Sequence, residues 1–203
     1  MKILISVLSH YVQKKIVREI SEIIYKAPLF TPLTPIRNNP LKVSITNAGT
    51  WGWLSNKQGY KYEKFHPLTK KKWPPIPTTL LKIWDKYSST LIPPNCSLIN
   101  VYKNEKATLG LHQDKDENNF SYPVVLISIG NKAIFNYGSS RKNLKKTCLP
   151  SGSIVVLENE SRLYYHSISK VYKSDKNIFF NSKNDALPKE GRISVTLRRF
   201  EEN

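Results

Sequence analysis

Cysteine is scarce in this sequence of 203 residues: Cys96 and Cys148 are the two examples, and neither belongs to a paired motif. A disulfide framework needs several closely spaced cysteines, and a cysteine zinc site needs pairs such as Cys-x-x-Cys. Both are disfavoured as the basis of the fold, and the composition is typical of a reducing compartment. The chain is long enough to bury a hydrophobic core without such crosslinks, and we expect one domain comprising residues 1–203.

Long apolar runs are missing as well. No segment approaches the ~20 consecutive apolar residues that a membrane-spanning helix needs. The N-terminal run at residues 3–8 is short and is followed by polar and basic residues, so it predicts a buried strand better than a signal peptide. We therefore expect a soluble, intracellular monomer in the cytoplasm of a bacterium, with no membrane partner.

Acidic residues are few. There are 15 Asp and Glu against 32 Lys and Arg, which gives a formal net charge of +17. A basic surface gains affinity for nucleic acid by releasing counterions from the phosphates, so the charge indicates a polyanionic partner. The same charge also follows from a lysine-rich composition without any binding function. Charge alone leaves both explanations open, and a site has to decide between them.

Glycine is less frequent than proline, 8 against 13 residues, which predicts ordered loops between short elements. Helical spacing of apolar residues predicts helices at 12–24 and 78–88, with aromatic turns at 51–53 and 59–60 between them. Seven short strands are predicted at residues 97–102, 107–112, 124–129, 133–137, 153–157, 162–167 and 192–200. The expected fold class is mostly β with flanking helices (α+β), a double-stranded β-helix or jelly roll with an N-terminal helical buttress.

His112 and Asp114 lie two residues apart after an alternating segment, so in an extended chain their side chains point to the same face. His166 lies at the end of a later predicted strand. Two imidazoles and a carboxylate on adjacent strands form a facial triad, which binds iron(II) and leaves positions open for other ligands. His-x-Asp is also common by chance, and the alternative is that His112 is a turn residue bonded to nearby backbone.

The predicted last strand alternates strictly, with Arg192, Ser194, Thr196 and Arg198 on one face and apolar residues on the other. Two arginines turned toward a barrel interior are costly unless an anion lies there, and arginine is suited to carboxylates. The alternative is an edge strand whose polar face meets solvent. A second polar pair, Asn100 and Tyr102, shares one face of an earlier strand, and together with the triad it favours an anion pocket.

Three runs of residues resemble the AlkB family of Fe(II)- and 2-oxoglutarate-dependent nucleic-acid dealkylating dioxygenases. They are SLINVY at 97–102, LHQDKDE at 111–117 and SRLYYH at 161–166, with TNAG at 46–49 and the aromatic residues up to Tyr62 in support. The resemblance extends from the first helix to Phe200. It implies a jelly-roll core at about 97–200 and a nucleotide-recognition lid at about 41–75.

The resemblance also implies roles for the polar residues. Arg192 pairs with the distal carboxylate of 2-oxoglutarate, and Tyr102 lies beside it. Arg198 and Asn100 hold the carboxylate next to the keto group. Ser194 stands where the family usually has Asn and can still form a hydrogen bond. The implied Fe(II) ligands are His112, Asp114 and His166.

The implied substrate is an alkylated base of DNA or RNA. Trp53 stacks on the flipped base opposite His112, Asp116 recognises its cationic or exocyclic edge, and Tyr60 belongs to the lid that meets the nucleic-acid backbone. Arg141 is the basic residue expected to approach the substrate, in a loop shorter than its family counterpart. The implied reaction is oxidative demethylation of N1-methyladenine and N3-methylcytosine with Fe(II), O2 and 2-oxoglutarate, releasing formaldehyde, succinate and CO2 in direct repair of alkylation damage.

Three alternatives remain open from the residues alone. The first is an enzyme of the same superfamily that hydroxylates or demethylates RNA, tRNA or protein. The second is a catalytically silent, basic nucleic-acid-binding module. Such a module does not need the three predicted metal ligands and the two arginines of the last strand, so their presence argues against it. The third is a cupin-like metal protein without a cosubstrate, which the paired arginines disfavour.

Overall fold

Two antiparallel sheets, a β-hairpin and two helices make up the computed structural model of the protein, which describes residues 1–173, 187–188 and 190–202. The larger sheet has six strands in the order β1-β10-β7-β12-β5-β2, and the smaller has four in the order β6-β11-β8-β9. The strands of the large sheet are β1 Lys2–Leu4, β2 Ser44–Gly49, β5 Cys96–Tyr102, β7 Val124–Gly130, β10 Ser153–Leu157 and β12 Arg192–Arg198. The small sheet consists of β6 Leu109–His112, β8 Ala133–Gly138, β9 Lys145–Leu149 and β11 Tyr165–Val171, and the hairpin of β3 Gly52–Asn56 and β4 Gly59–Glu63.

Two hydrophobic clusters separate the layers. One side of the large sheet packs against the helices α1 His10–Lys26 and α2 Thr78–Tyr87, where Ile20 and Trp84 are fully buried with Ile127 and Val195. The other side packs against the small sheet, through residues such as Phe135. The large sheet is thus covered on both faces, which explains why its central strands are buried along their whole length. The predicted jelly roll with a helical buttress is confirmed.

Helix α1 forms where its sequence predicts. Isoleucine and valine recur at three- and four-residue spacing on the buried face, and Ser9 caps the first turn by accepting a hydrogen bond from the backbone N–H of Val12. Neither helix in the described residues is long and apolar enough to cross a membrane.

The structure corrects several predicted boundaries. The sequence predicts that residues 162–164 begin a strand, but they follow the 3-10 turn Asn159–Ser161. The side chain of Arg162 points inward there and donates to the backbone carbonyls of Tyr122 and Asp114. The expected aromatic turns at 51–53 and 59–60 belong largely to the hairpin strands β3 and β4. Strand β9 was missed, because its Lys145-Lys146 start carries no alternating apolar pattern and pairs through its backbone.

Candidate active site

The three residues of the predicted triad lie together at one end of the space between the sheets. Strands β6 and β11 pair antiparallel with His112 opposite His166, and Asp114 lies two residues beyond the end of β6. The ligand atoms of the three side chains all lie within 4.8 Å of one another. One metal ion can therefore be held by all three. A search of the described residues for clusters of His, Cys, Asp and Glu that could hold a metal ion finds this one group.

Backbone carbonyls orient both imidazoles. Nδ1 of His112 lies 2.8 Å from the carbonyl oxygen of Gly110, and Nδ1 of His166 lies 3.1 Å from that of Tyr164. A carbonyl only accepts, so each Nδ1 carries the proton and each Nε2 presents a lone pair toward Asp114. Burial, and then the nearby His112, lowers the pKa of His166 to about 4, which keeps this ring neutral. The hydrogen bond between His112 and nearby backbone, which the alternative expected, is present, and it leaves Nε2 available to a metal ion.

Asp114 is held as a carboxylate by a buried arginine. Nη2 of Arg198 donates to its Oδ1 at 3.1 Å, while its Oδ2 is buried and has no hydrogen-bond partner in the described part of the chain. Burial by itself would raise the pKa of Asp114, but the charge of Arg198 outweighs it, and the pKa lies well below its usual range. The deprotonated Oδ2 is therefore the oxygen available to a cation.

Three residues absent from the predicted site complete a buried network. Glu117 forms ion pairs with Arg198 at 2.8 Å and with Arg162 at 3.1 Å, and it also accepts from the hydroxyl of Tyr62. Arg162 in addition donates to the backbone carbonyl of Asp114 at 2.7 Å, which fixes the loop that carries the carboxylate. Glu117 and Arg162 stand in the LHQDKDE and SRLYYH runs, so the motif contained them, but spacing alone gave them no role.

Strands β12 and β5 form the polar wall next to the triad. The register places Arg192 opposite Tyr102 and Ser194 opposite Asn100. Strand β12 lies between β5 and β7 and is not an edge strand, so its polar face meets the interior and not solvent. The guanidinium carbon of Arg192 lies 4.9 Å from the centre of the Tyr102 ring.

The buried polar atoms of this wall fit an anionic carboxylate. Arg192 is 2% exposed, and within the described residues its Nε and Nη1 have no hydrogen-bond partner, nor has the hydroxyl of Tyr102. Burial lowers the pKa of Arg192 and raises that of Tyr102, and their contact with each other opposes both shifts. Unpaired buried donors are unfavourable, and a carboxylate that accepts from both side chains relieves the cost.

The hairpin places two aromatic rings at the cavity mouth, and Asp116 from the segment after β6 lies beside them. The rings of Trp53 and Tyr60 stack with centroids 5.5 Å apart. Nε1 of Trp53 donates to Oδ2 of Asp116 at 2.8 Å, so one oxygen of the aspartate is held by the hairpin. Burial raises the pKa of Asp116, while the bond from Trp53 works against that rise. Across the mouth, the guanidinium of Arg141 lies over the ring of Tyr165, 4.9 Å from its centre.

All twelve residues predicted from the sequence face one cavity of about 440 Å³. Asp114, His166 and the arginines of β12 are buried, whereas Tyr60 and Arg141 are exposed and lie at its mouth. The twelve are Trp53, Tyr60, Asn100, Tyr102, His112, Asp114, Asp116, Arg141, His166, Arg192, Ser194 and Arg198.

Comparisons with known proteins agree with this geometry. A family model described as the 2OG-Fe(II) oxygenase superfamily matches residues 1–198. The chain is 35% identical over 162 residues to an alpha-ketoglutarate-dependent dioxygenase AlkB homolog of Caulobacter vibrioides, which covers 79% of this chain and 70% of the relative. It is also 35% identical over 161 residues to the alpha-ketoglutarate-dependent dioxygenase AlkB of Escherichia coli, with 76% and 74% covered.

More distant relatives share the fold. A DNA N(6)-methyladenine demethylase of Arabidopsis thaliana, ALKBH1D, is 31% identical over 116 residues, which are 54% of this chain and 26% of the relative. The solved structure of OsALKBH1 superposes with a TM-score of 0.78 at 26% identity and covers 97% of this chain and 95% of its own.

Proposed function

Because the chain belongs to the AlkB family of the 2OG-Fe(II) oxygenase superfamily, we propose that it demethylates N1-methyladenine and N3-methylcytosine in DNA or RNA. It is an iron(II)- and 2-oxoglutarate-dependent dioxygenase with nucleic acid as the substrate class. The observation that carries the choice of lesion is the Trp53–Asp116 pair, which opens onto the same cavity as the triad. A cationic base gains from an aromatic face and a carboxylate together, and a neutral base gains less.

The depth of the cavity has the groups that cofactor and cosubstrate need. His112, Asp114 and His166 would hold iron(II) through two Nε2 atoms and one carboxylate oxygen. The polar wall of β5 and β12 would hold 2-oxoglutarate. Arg192 and Tyr102 would bind its distal carboxylate. The carboxylate next to the keto group would be bound by Asn100, Ser194 and Arg198. Bound iron(II), with 2-oxoglutarate and oxygen, supplies oxidation of the N-methyl carbon, which leaves as formaldehyde while succinate and carbon dioxide form.

The chain's own residues position the base and keep water out. Trp53 would stack on one face of the base and the ring of His112 would lie on the other, since both side chains line the cavity. Oδ1 of Asp116 would accept from the exocyclic N–H of the lesion while Oδ2 stays on Trp53. A base has to leave the stack to reach a site this deep, and a methyl group on the pairing edge makes extrusion less costly. Tyr60 and Arg141 would contact the backbone of the extruded nucleotide.

The organisation of the chain is part of the proposal. We assign the lid to residues within 41–75, although β2 at Ser44–Gly49 belongs to the large sheet, and the catalytic core to about 97–200. All twelve site residues come from one chain, which supports a monomer. Both cysteines are free, which supports action in the reducing cytoplasm.

Reconstitution tests the proposal. The protein is loaded anaerobically with iron(II) and 2-oxoglutarate, oxygen and an oligonucleotide carrying N1-methyladenine are added, and mass spectrometry follows the oligonucleotide. Loss of one methylene mass from the wild type but not from His166→Ala supports the function. Succinate formation without change in methylated DNA or RNA would move the substrate to a protein or a tRNA modification. Bound iron with neither product would leave a silent nucleic-acid-binding module.

A further inference from the structure

A short segment at residues 199–202, which we call the strap, follows β12 and has no regular secondary structure. The side chain of Asn95 fixes its path at Phe200. Nδ2 of Asn95 donates to the carbonyl oxygen of Phe200 at 2.7 Å, and Oδ1 accepts from the N–H of Phe200 at 2.9 Å. The N–H of Asn95 donates in turn to the carbonyl oxygen of Arg198, where β12 ends, at 3.2 Å. These bonds give the strap a defined position relative to β12.

Phe200 packs against the hairpin. Its ring stacks on that of Tyr62 in β4, with centroids 4.3 Å apart and planes inclined by 18°, and it meets Trp51 edge-on at 5.0 Å. Tyr62 and Trp51 are both buried. In the pairing of β3 with β4, Tyr62 lies directly opposite Trp53, whose ring is expected to stack on the lesion. Phe200 therefore supports the strand pair that presents Trp53 to the cavity.

Glu201 holds the loop that follows Asp116. Its carbonyl oxygen accepts from Nδ2 of Asn118 at 2.7 Å. Its carboxylate accepts from Nδ2 of Asn119 at 3.1 Å and from the hydroxyl of Tyr122 at 2.9 Å. The hydrogen bonds from Asn119 and then Tyr122 lower the pKa of Glu201, so they favour its charged form. One residue of the strap thus ties down a loop that begins two positions after Asp116.

Trp53 and Asp116 reach the cavity from two separate segments. Trp53 belongs to the hairpin, whereas Asp116 lies in the segment after β6. The bond from Nε1 of Trp53 joins the two side chains, and the hydroxyl of Tyr62 donates to Glu117 one position further on. Recognition of a cationic base by a ring and a carboxylate requires that both are held at a fixed spacing. The strap contacts both segments and so restrains them relative to each other.

The strap contributes little to the hydrophobic core. The side chains of Phe200 and Glu201 are partly exposed, and the aromatic cluster around Phe200 is separate from the two large clusters on either side of the large sheet. Hydrogen bonds and ion pairs at the surface stabilise a fold weakly, yet the carboxylate of Glu201 accepts from three side chains. A fully bonded surface carboxylate beside a substrate site fits a positioning role better than a role in folding.

We propose that the strap holds Trp53 and Asp116 at the spacing that a cationic methylated base requires. Phe200 and Glu201 are then positioning residues, because neither lines the cavity and each acts through the segment that it contacts. The inference rests on the proposed function and deepens it, since it identifies what sets the preference for the lesion over a normal base. An unmethylated base is neutral and gains less from the ring and the carboxylate together, so its binding depends less on the strap.

Equilibrium binding tests the strap. The protein is loaded with iron(II) and 2-oxoglutarate without oxygen, and calorimetry measures its affinity for a trinucleotide with a central N1-methyladenine and for the unmethylated trinucleotide. We expect Phe200→Leu and Glu201→Ala each to weaken binding of the methylated trinucleotide about fivefold or more, with less than about a twofold change for the unmethylated one. Leucine keeps an apolar side chain at position 200 but loses the planar stack on Tyr62.

Tyr87→Leu is the matched control. Tyr87 is also a partly exposed aromatic residue, but it lies at the end of α2 and packs against the cluster on the other side of the large sheet from the cavity. We expect Tyr87→Leu to bind both trinucleotides as the wild type does. Urea denaturation of all three variants shows whether a loss of binding follows from a loss of stability. The KM for 2-oxoglutarate should stay within about twofold of the wild type in each variant.

The double variant Phe200→Leu/Glu201→Ala shows whether the strap acts as one link. If it does, releasing either end is enough, and the double variant should bind the methylated trinucleotide within about twofold of the weaker single variant. Two independent contacts would instead multiply their effects to about 25-fold or more. Such a multiplied loss would overturn the strap as a single restraint.

The outcomes separate the strap from the function on which it rests. A wild type that does not prefer the methylated trinucleotide refutes the proposed lesion, and the strap with it. A wild-type preference that persists in Phe200→Leu and Glu201→Ala overturns the strap and leaves the function standing. Equal loss of both trinucleotides in these variants, or the same loss in Tyr87→Leu, would mean that the strap residues act through stability alone, and it would also overturn the proposal.

Discussion

Arg198 and Asp114 form a buried ion pair in which Nη2 of the arginine donates to Oδ1 of the carboxylate at 3.1 Å. One end of the arginine strand β12 thereby orients the acidic residue of the metal triad. Arg198 also forms an ion pair with Glu117, so its guanidinium has two carboxylate partners within the protein itself. The residue implied by resemblance to hold 2-oxoglutarate is thus at the same time a positioning residue for the metal site.

We expect Arg198→Lys to weaken iron binding about 10- to 100-fold, the usual effect of losing a partner that orients a metal ligand. Lysine keeps the charge but cannot contact Asp114 and Glu117 together, because it lacks the planar fork of arginine. Titration of the metal-free protein with iron(II) under nitrogen measures the change. The control is Arg199→Lys, at the next position, whose side chain contacts Glu201 and the carbonyl of Pro93. Equal affinity in Arg198→Lys and wild type would contradict the positioning role.

Arg192→Met should raise the KM for 2-oxoglutarate about 10- to 100-fold, which corresponds to the loss of a charge-assisted hydrogen bond. The same substitution should leave the free energy of unfolding equal or higher when 2-oxoglutarate is absent, because it removes a buried guanidinium with unpaired donors. Urea denaturation and succinate-release kinetics give the two quantities. A large loss of stability would mean that Arg192 is structural and would count against its role in the cosubstrate site.

Trp53→Phe should raise the KM for a methylated trinucleotide about 5- to 10-fold and change kcat less. Phenylalanine keeps an aromatic face but loses the N–H that holds Asp116, so the carboxylate is free to turn away from the lesion. Steady-state demethylation of the trinucleotide measures both constants. Trp51→Phe is the matched control, since Trp51 packs against Phe200 and does not line the cavity. The same KM in Trp53→Phe and wild type would show that the indole N–H is not used.

Glu117→Gln should lower the free energy of unfolding by about 3 to 5 kcal/mol near neutral pH, because it leaves Arg162 buried without its carboxylate and leaves Arg198 with Asp114 alone. Urea denaturation measures the difference, with the exposed Glu160→Gln as control.

The loss in Glu117→Gln should also depend on pH. Burial alone would raise the pKa of Glu117, but Arg198 and Arg162 outweigh it and hold the pKa below its ordinary value of 4.5. A carboxyl with a lowered pKa in the folded state contributes stability that is present above pH 4.5 and is lost as pH falls through the folded pKa. The gap between wild type and Glu117→Gln should therefore narrow in acid. A gap that stays constant or widens as the pH falls would contradict this assignment.

The sequence by itself determined the main helices and strands and which polar side chains share a face of each strand. Strict alternation in residues 192–198 separates polar from apolar side chains whatever the strand pairs with, and the i, i+2 spacing of His112 and Asp114 acts in the same way. Helix α1 also follows from its own periodicity and cap. Each of these properties depends on residues close together in the chain.

The tertiary structure decided what those polar side chains contact. Because β12 is a central strand, its two arginines face the interior. The pairing of β6 with β11 places His112 opposite His166 and so completes the triad. The ion pairs of Glu117 join residues distant in sequence, as does the hydrogen bond from the hydroxyl of Ser55 to the carbonyl of Leu33. No local pattern encodes such contacts, because their energies come from burial and pairing that arise when the strands assemble.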